Sequence, residues 1–311
     1  MKGILKNGLL SLVLVLGATL SWAQGVITDQ TIIDTPQLSG VFAEAKRQLA
    51  AGKDPLVIFD IDNTLMYHDY YLGNEPWFGT VYANYMSELR ARFPQRADTE
   101  ERSITWLTVM LMNLTPSMLV EPELPAQIRE LQKAGLKVMA QTSRNVLVAP
   151  HTIAEMRNFG IDFSSSAAFG DVFDFTPWEG ARSIICSSGA CFGQLQDKGK
   201  ILLALMARTG YRPKSVIFAD DSKKNIASLA AALKGTGIAY TGFRYSRLDA
   251  MMKEYSSDGA LAGARVQLKH YFINGKLLPN DKALELSKTA PVSVKEELKW
   301  IFGPQAEPLR P

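Results

Sequence analysis

Short apolar runs alternate with helical patterns along much of the chain. Three apolar runs bounded by turn residues predict buried parallel strands, at 55–60, 136–142 and 215–220. A helical pattern that ends at a glycine precedes each run, at 38–51, 125–134 and 200–209. Helices that alternate with strands in this way predict an α/β fold with a parallel sheet.

A polar cluster follows each of the three predicted strands. The clusters are Asp60-Ile61-Asp62-Asn63-Thr64, Thr142-Ser143-Arg144-Asn145 and Asp220-Asp221-Ser222. In an open parallel sheet, ligands bind beyond the carboxyl ends of the strands. We therefore predict a Rossmann-like open parallel sheet flanked by helices, with the three clusters converging on one site.

The segment 66–122 separates the first cluster from the second strand and is longer than a simple crossover needs. Two helical patterns within it, at 81–92 and 99–113, predict a mainly helical cap inserted over the strand ends. Aromatic residues in this segment either form a wall over the site or pack the cap itself, namely Tyr67, Tyr70, Tyr71, Trp77 and Phe78.

The predicted cap divides the rest of the chain into a core and an extension. The α/β core comprises 24–65 and 123–250, and 251–311 forms a C-terminal extension. Within the extension, the pattern predicts an edge strand at 266–274 and a short helix at 293–302.

The N-terminal residues have the features of a secretory signal peptide. Lys2 and Lys6 precede an apolar run at 9–20, and the small residues Ser21 and Ala23 follow it. The run is shorter than the roughly 20 residues of a membrane-spanning helix, so we expect a signal at 1–23 cleaved after Ala23 rather than an anchor. This predicts a periplasmic or secreted protein with no membrane span after cleavage.

Composition and charge exclude several classes of protein. Hydrophobic residues make up 47% and charged residues 21% of the chain, which is typical of a globular protein and excludes a disordered one. The net charge is +3 and no block of like charges is present. We therefore expect no nucleic-acid polymer as a partner.

The two cysteines, Cys186 and Cys191, flank the turn-forming sequence Ser-Ser-Gly-Ala. A hairpin there would bring the sulfur atoms together, and an exported protein meets oxidising conditions. Spacing does not fix the directions of the Cβ atoms, so both a disulfide and two free thiols remain open. Two cysteines and three scattered histidines do not favour a structural zinc site.

The sharpest chemical feature is the pair Asp60 and Asp62 on the turn after the first strand. One carboxylate can act as a nucleophile while the other transfers protons. Asp220 and Asp221 add two carboxylates at a second strand end. Carboxylates this close raise each other's pKa unless a cation intervenes, and Mg²⁺ suits such oxygen ligands together with a substrate phosphate.

In order and placement, these residues resemble the four motifs of the haloacid dehalogenase-like superfamily in its phosphatase form. The sequence Asp60-Ile61-Asp62-Asn63-Thr64 resembles motif I (DxDxT), and Thr142 resembles motif II. Lys198-Gly199 resembles motif III, and Asp220-Asp221-Ser222-Lys223-Lys224-Asn225 resembles motif IV. The wider stretch is similar to an exported bacterial branch of the superfamily, a match that implies no particular substrate.

The resemblance implies a catalytic role for four residues. Asp60 would attack phosphorus, and Asp62 would protonate the leaving oxygen and then deprotonate water. Thr142 would hydrogen-bond a phosphoryl oxygen, and Lys198, or Lys200 if the register differs, would stabilise the phosphoryl charge. Among neighbouring residues, we expect Asn63, Ser143 and Arg144 to bind substrate, although Arg144 could equally be a solvated surface residue.

The resemblance also implies a Mg²⁺ site. Its ligands would be the Asp60 carboxylate, the Asp62 backbone carbonyl and Asp220, with Asp221 binding directly or through water. Asn225 stands where motif IV often has a third acid, so we expect a lower affinity for the metal.

The implied function is that of an exported Mg²⁺-dependent phosphatase, a hydrolase that cleaves a small phosphate monoester through an aspartyl-phosphate. Two alternatives remain open at this point. One is a phosphotransferase that uses the same site, and the other is a catalytically weak binding or interaction protein of the same fold.

Overall fold

The computed structural model describes residues 30–92 and 98–302, so the predicted signal peptide at 1–23 lies outside the described residues. The strands of the described chain are β1 (Gln30–Thr35), β2 (Pro55–Phe59), β3 (Met66–His68), β4 (Ser117–Leu119), β5 (Lys137–Thr142), β6 (Val172–Phe175), β7 (Ile184–Ser187), β8 (Ala190–Phe192), β9 (Ser215–Asp220) and β10 (Ala239–Tyr245). Its α-helices are α1 (Ser39–Ala50), α2 (Glu75–Arg92), α3 (Asp98–Leu114), α4 (Leu124–Lys133), α5 (Ala149–Asn158), α6 (Lys198–Thr209), α7 (Lys223–Leu233), α8 (Asp249–Tyr255), α9 (Asp258–Asn274), α10 (Asn280–Thr289) and α11 (Val294–Phe302).

The central feature is an eight-stranded sheet with the strand order β1-β10-β9-β2-β5-β8-β7-β6. The strands from β1 to β8 in that order are parallel, and the hairpin partners β7 and β6 continue the sheet in antiparallel fashion. Helices cover both faces, which confirms the predicted α/β fold with an open parallel sheet. The strands β3 and β4 form a separate two-stranded sheet.

Each face of the sheet packs a hydrophobic layer, and β2 shows why its sequence is apolar throughout. Val57 and Phe59 pack in the layer formed with α1 and α4. Leu56 and Ile58 pack in the layer formed with α6 and α7. Because both faces of β2 are covered, its residues are all buried and form a continuous apolar run instead of an alternating one.

The helix that follows the hairpin begins and ends at capping residues. Asp197 Oδ1 accepts a hydrogen bond from the backbone N–H of Lys200 at 2.8 Å, which satisfies a free donor at the start of α6. Gly210 ends the helix with φ of +72°. The capping places Lys198 at the first position of α6, at the edge of the sheet where β9 ends.

A third hydrophobic cluster joins the helices of 66–122 to those of the C-terminal residues. Trp77 and Leu107, from α2 and α3, share this cluster with Leu268 and Leu298, from α9 and α11. A buried hydrogen bond of 2.7 Å from Trp77 Nε1 to Glu297 Oε1 crosses the same contact. The C-terminal helices therefore pack against the predicted cap instead of extending the sheet.

The edge strand predicted at 266–274 is wrong, because these residues form the second half of α9. The buried side of α9 is wide and includes Val266, Gln267 and Leu268 in succession, so it shows no clear helical period. Ser257 caps the helix at its start, and Gly275 ends it with φ of +68°. The helix predicted at 293–302 is confirmed as α11.

Of the two states left open for the cysteines, the structure contains the disulfide. Cys186 in β7 and Cys191 in β8 are bonded, and their Cα atoms lie 4.0 Å apart. The turn between them needs glycine, since Gly189 has φ of +75° and a Cβ there would lie 2.5 Å from the Phe163 carbonyl oxygen.

None of the helices in the described ranges combines the length and the apolar composition required to cross a membrane.

Candidate functional site

Three neighbouring strands bring the predicted polar clusters together. β2 lies between β9 and β5, and all three run in the same direction. Asp60 therefore sits between the end of β9, at Asp220, and the end of β5, at Thr142. A backbone hydrogen bond of 2.9 Å from Asp60 N to Ala219 O fixes the start of the Asp60 turn against β9.

Lys198 is buried between two of the carboxylates. Its Nζ donates to Asp60 Oδ1 and, at 2.7 Å, to Asp220 Oδ2. Burial alone would lower the pKa of Lys198, but the charges of Asp60 and Asp220 outweigh burial and raise this pKa above its ordinary value. Lys198 therefore stays a cation within the acidic cluster.

The alternative motif III lysine, Lys200, lies elsewhere. Its Nζ is 5.8 Å from the centre of the Trp178 ring, on the other side of the first turn of α6. Of the two lysines considered, Lys198 is therefore the one that lies among the carboxylates. Gly199 follows because α6 approaches α7 closely, and a Cβ there would lie 2.5 Å from Ser228 O.

Three carboxylates form a compact set of oxygen donors. One oxygen from each of Asp60, Asp220 and Asp221 lies within 4.8 Å of the others. Burial, together with the charges of Asp220 and Asp221, raises the pKa of Asp60 well above its ordinary value despite the opposing effect of Lys198. Burial and the nearby Asp220 raise the pKa of Asp221 to about 7.

This donor set fits a hard divalent cation such as Mg²⁺, which would relieve the repulsion among the carboxylates. Asn225, at the place of the expected third acid, donates from Nδ2 to both oxygens of Asp220, at 3.1 and 3.0 Å. Asn225 therefore orients one candidate metal ligand and supplies no negative charge of its own.

Asp62 faces a different partner. Arg144 donates from Nε to Asp62 Oδ2 at 3.1 Å and from Nη2 to Oδ1 at 2.9 Å. The Arg144 side chain is only 7% exposed, and its Nη1 donates to Thr152 Oγ1 at 3.0 Å and lies 3.6 Å from Glu155 Oε2. The interpretation of Arg144 as a solvated surface residue is therefore wrong.

The remaining predicted residues lie in or directly behind the same site. Asn63 adopts a left-handed backbone with φ of +58°, and its Nδ2 donates to Glu75 Oε2 at 3.0 Å and to Asp221 Oδ2 at 3.3 Å. Thr142 is fully buried, and its Oγ1 accepts a hydrogen bond from Arg144 N at 3.1 Å.

A cavity of about 440 Å³ opens beside these residues and is bounded by the strand ends and by α2 and α3. Six of the predicted site residues line it, namely Asp60, Asp62, Asn63, Ser143, Arg144 and Asp221. Thr142, Lys198 and Asp220 are not part of the lining and lie buried behind it.

Sequence reasoning missed Glu75, which lines the cavity from the first turn of α2. Desolvation, together with the charges of Asp62 and Asp220, raises the pKa of Glu75. The local signal was the sequence Asn74-Glu75-Pro76, typical of a helix start. Asn74 Oδ1 indeed caps α2 by accepting from Trp77 N at 3.1 Å.

The aromatic residues of the cap divide between the two roles considered for them. Tyr67 and Phe78 line the cavity. Tyr71 and Trp77 are buried in the cluster that joins the cap to the C-terminal helices. Tyr71 and Trp77 therefore pack the cap itself, whereas Tyr67 and Phe78 form part of the cavity wall.

Comparison with known proteins places the chain in one family. The family model described as "Protein of unknown function (DUF2608)" matches residues 35–280, a range that contains every residue of the site. Comparison with curated proteins gives no match.

Proposed function

The chain belongs to the DUF2608 family of proteins of unknown function, and we propose that it is a Mg²⁺-dependent phosphatase that hydrolyses a small phosphate monoester. The observation that carries the proposal is the position of Lys198, which bridges Asp60 and Asp220 at adjacent strand ends. A nucleophile, a cation and acidic metal ligands are the groups that phosphoryl transfer requires. Their order along the chain matches the four superfamily motifs that the sequence resembles.

The acidic set would hold the metal. The ligands would be the carboxylates of Asp60, Asp220 and Asp221, with the backbone carbonyl of Asp62. When bound, Mg²⁺ offsets negative charge on the phosphate and on these carboxylates.

Asp60 is the proposed nucleophile. Its Oδ1 accepts a hydrogen bond from Lys198, which leaves Oδ2 to attack phosphorus. The new bond joins Oδ2 to phosphorus while the bond between phosphorus and the leaving oxygen breaks. Lys198 keeps a positive charge beside the phosphoryl group throughout.

Asp62 is the proposed acid and base. In the first step Asp62, which Arg144 keeps ionised, takes a proton from the phosphate monoanion of the substrate and passes it to the leaving oxygen, which departs as an alcohol. In the second step the Asp62 carboxylate takes a proton from water, whose oxygen attacks the phosphorus of the aspartyl-phosphate. Inorganic phosphate leaves with the proton that Asp62 took from water, and Asp60 and Asp62 are again carboxylates.

The test is phosphate release from p-nitrophenyl phosphate and a panel of alkyl phosphates by the chain from Gln24 onward. We expect release with Mg²⁺, loss of release with EDTA, and loss in Asp60→Asn. Asp281→Asn, in α10 and outside the cavity lining, is the matched control and should retain activity. Release that persists in Asp60→Asn would contradict the proposal. Added glycerol separates hydrolysis from phosphotransfer by the yield of glycerol phosphate.

A further inference from the structure

His68 lies on β3 in the cap and lines the same cavity as Asp62. Its Nδ1 is 3.2 Å from the hydroxyl oxygen of Thr115. The proposed catalytic steps do not use this histidine, although it lines the cavity from the cap.

The hydrogen bonds of Thr115 determine which nitrogen of His68 carries the proton. The Thr115 hydroxyl donates to Leu111 O at 3.0 Å, and a hydroxyl has only one hydrogen to donate. With that hydrogen directed at Leu111 O, the Thr115 oxygen is left to accept from His68, which assigns the proton to Nδ1. In the neutral ring, Nε2 is then a hydrogen-bond acceptor. Burial, with the charge of Arg144, lowers the pKa of His68 and favours this neutral form, against the charges of Asp62 and Glu155 and a hydrogen bond to the backbone of Pro116, the residue after Thr115.

Close packing holds Thr115 in position. Gly73 has φ of +88°, and a Cβ at Gly73 would lie 2.5 Å from Thr115 Oγ1. The chain entering α2 therefore runs directly against the threonine. Fixing Thr115 fixes the His68 ring, and such preorganisation is a property of ligand-binding residues.

The cap contributes apolar side chains to the cavity that His68 lines, alongside the polar residues Asn74, Glu75 and Thr108. Phe78, Leu111 and Met112 line the cavity from the cap helices. The cationic residues of the described lining are Arg144, which is paired with Asp62, and Lys224 on α7. This wall therefore suits an uncharged organic group more than a second phosphate.

We propose that His68 is a specificity-determining residue whose Nε2 accepts a hydrogen bond from a hydroxyl group of the substrate. The inference rests on the proposed phosphatase function. It assigns as substrate class the phosphate monoester of an uncharged, hydroxyl-bearing organic group.

The test compares phenyl phosphate with the 2-, 3- and 4-hydroxyphenyl phosphates, which differ by one hydroxyl. Dissociation constants are measured calorimetrically in the Asp60→Asn background with Mg²⁺, where the ester is not consumed. We expect at least one hydroxyphenyl ester to bind about fivefold more tightly than phenyl phosphate, the effect of one net hydrogen bond. In His68→Phe, the ratio of the dissociation constants of phenyl phosphate and the preferred hydroxyphenyl ester should fall to about one. His151→Phe, on the exposed side of α5, should keep it.

Thr115→Val provides a second variant of nearly the same shape, which removes the acceptor of Nδ1 and should reduce the ratio. Equal binding of all four esters, or a preference that survives His68→Phe, would overturn the inference. Phosphate release by the chain with Asp60 intact reports separately on the proposed function. A hydroxyl preference that depends on His68 without any release would support the subsite and contradict the phosphatase.

Discussion

Arg144 donates to both carboxylate oxygens of Asp62 from a side chain that is itself buried. Desolvation in the cavity pushes the pKa of Asp62 upward, but the charge and hydrogen bonds of Arg144 outweigh it and hold this pKa below its ordinary value. The residue proposed to move protons is therefore held in one orientation by a partner on the next strand end.

The first prediction concerns this pair. Arg144→Lys keeps the charge but cannot form the two parallel hydrogen bonds. We expect kcat/KM for an alkyl phosphate to fall by about 10- to 100-fold, because a misplaced acid protonates the leaving oxygen poorly. The loss should be smaller with p-nitrophenyl phosphate, whose leaving group needs little protonation. Arg157→Lys, in an exposed pair with Asp162, is the control. Equal losses on both esters would argue against an acid role for Asp62.

The second prediction concerns the buried lysine. Lys198→Met leaves Asp60 and Asp220 buried without their cation, and breaking a buried pair in this way costs about 3–5 kcal/mol. We expect this loss in the free energy of unfolding, measured in urea with EDTA present. In a separate assay with Mg²⁺, we expect loss of turnover. Lys200→Met, two residues along, should change stability by less than about 1 kcal/mol. A stable Lys198→Met variant with unchanged turnover would contradict the proposed site.

The third prediction concerns Glu297, which accepts the hydrogen bond from Trp77 between cap and C-terminal helices. Burial raises the pKa of Glu297 to about 7 from its ordinary value of 4.5, against the effects of Trp77 and Arg265. The folded protein thus holds this proton more tightly than the unfolded chain, so its contribution to stability is complete below about pH 4.5. It is lost as the pH rises through about 7.

Glu297→Gln mimics the protonated side chain and should remove this dependence. We expect the variant to match the parent protein near pH 4 and to exceed its stability at pH 8 by on the order of 2–3 kcal/mol. Urea unfolding across that range measures the difference. If the parent protein instead became more stable than the variant as the pH rises, the predicted direction of the pH dependence would be wrong.

The fourth prediction concerns the disulfide between Cys186 and Cys191. The loop that it closes is short and constrains the unfolded chain little, so reduction should cost no more than about 2 kcal/mol. Far-UV circular dichroism should be unchanged on reduction, and turnover should persist. The double variant Cys186→Ala/Cys191→Ala should be insensitive to reductant. Loss of secondary structure on reduction would mean that the hairpin depends on the bond.

The strands that carry the site could be predicted because they lie in the middle of the sheet. β2, β5 and β9 are covered on both faces, so each is a short apolar run followed by polar residues. Neighbouring parallel strands end at the same edge, and the meeting of Asp60 with Asp220 followed from that rule. Lys198 was proposed from the resemblance to motif III, because the helical pattern at 200–209 begins two residues after it.

Contacts between distant elements could not be predicted from the local pattern of either element. Arg144 meets Thr152 and Glu155 only because α5 folds back beside the end of β5. Glu75 reaches Asn63 only because α2 begins earlier than its apolar pattern suggested. The strand predicted at 266–274 failed for a similar reason, since the wide buried side of α9 erased the helical period.

The shared cluster of the cap and the C-terminal helices has a consequence for the order of folding. Trp77 and Leu107 share this cluster with Leu298 and Ile301, which lie roughly 190 to 220 residues further along the chain. Contacts so distant along the chain form slowly, because the intervening loop must close first. The strand ends can therefore assemble first, whereas the cap beside Asp60 completes its packing only when α11 docks against it.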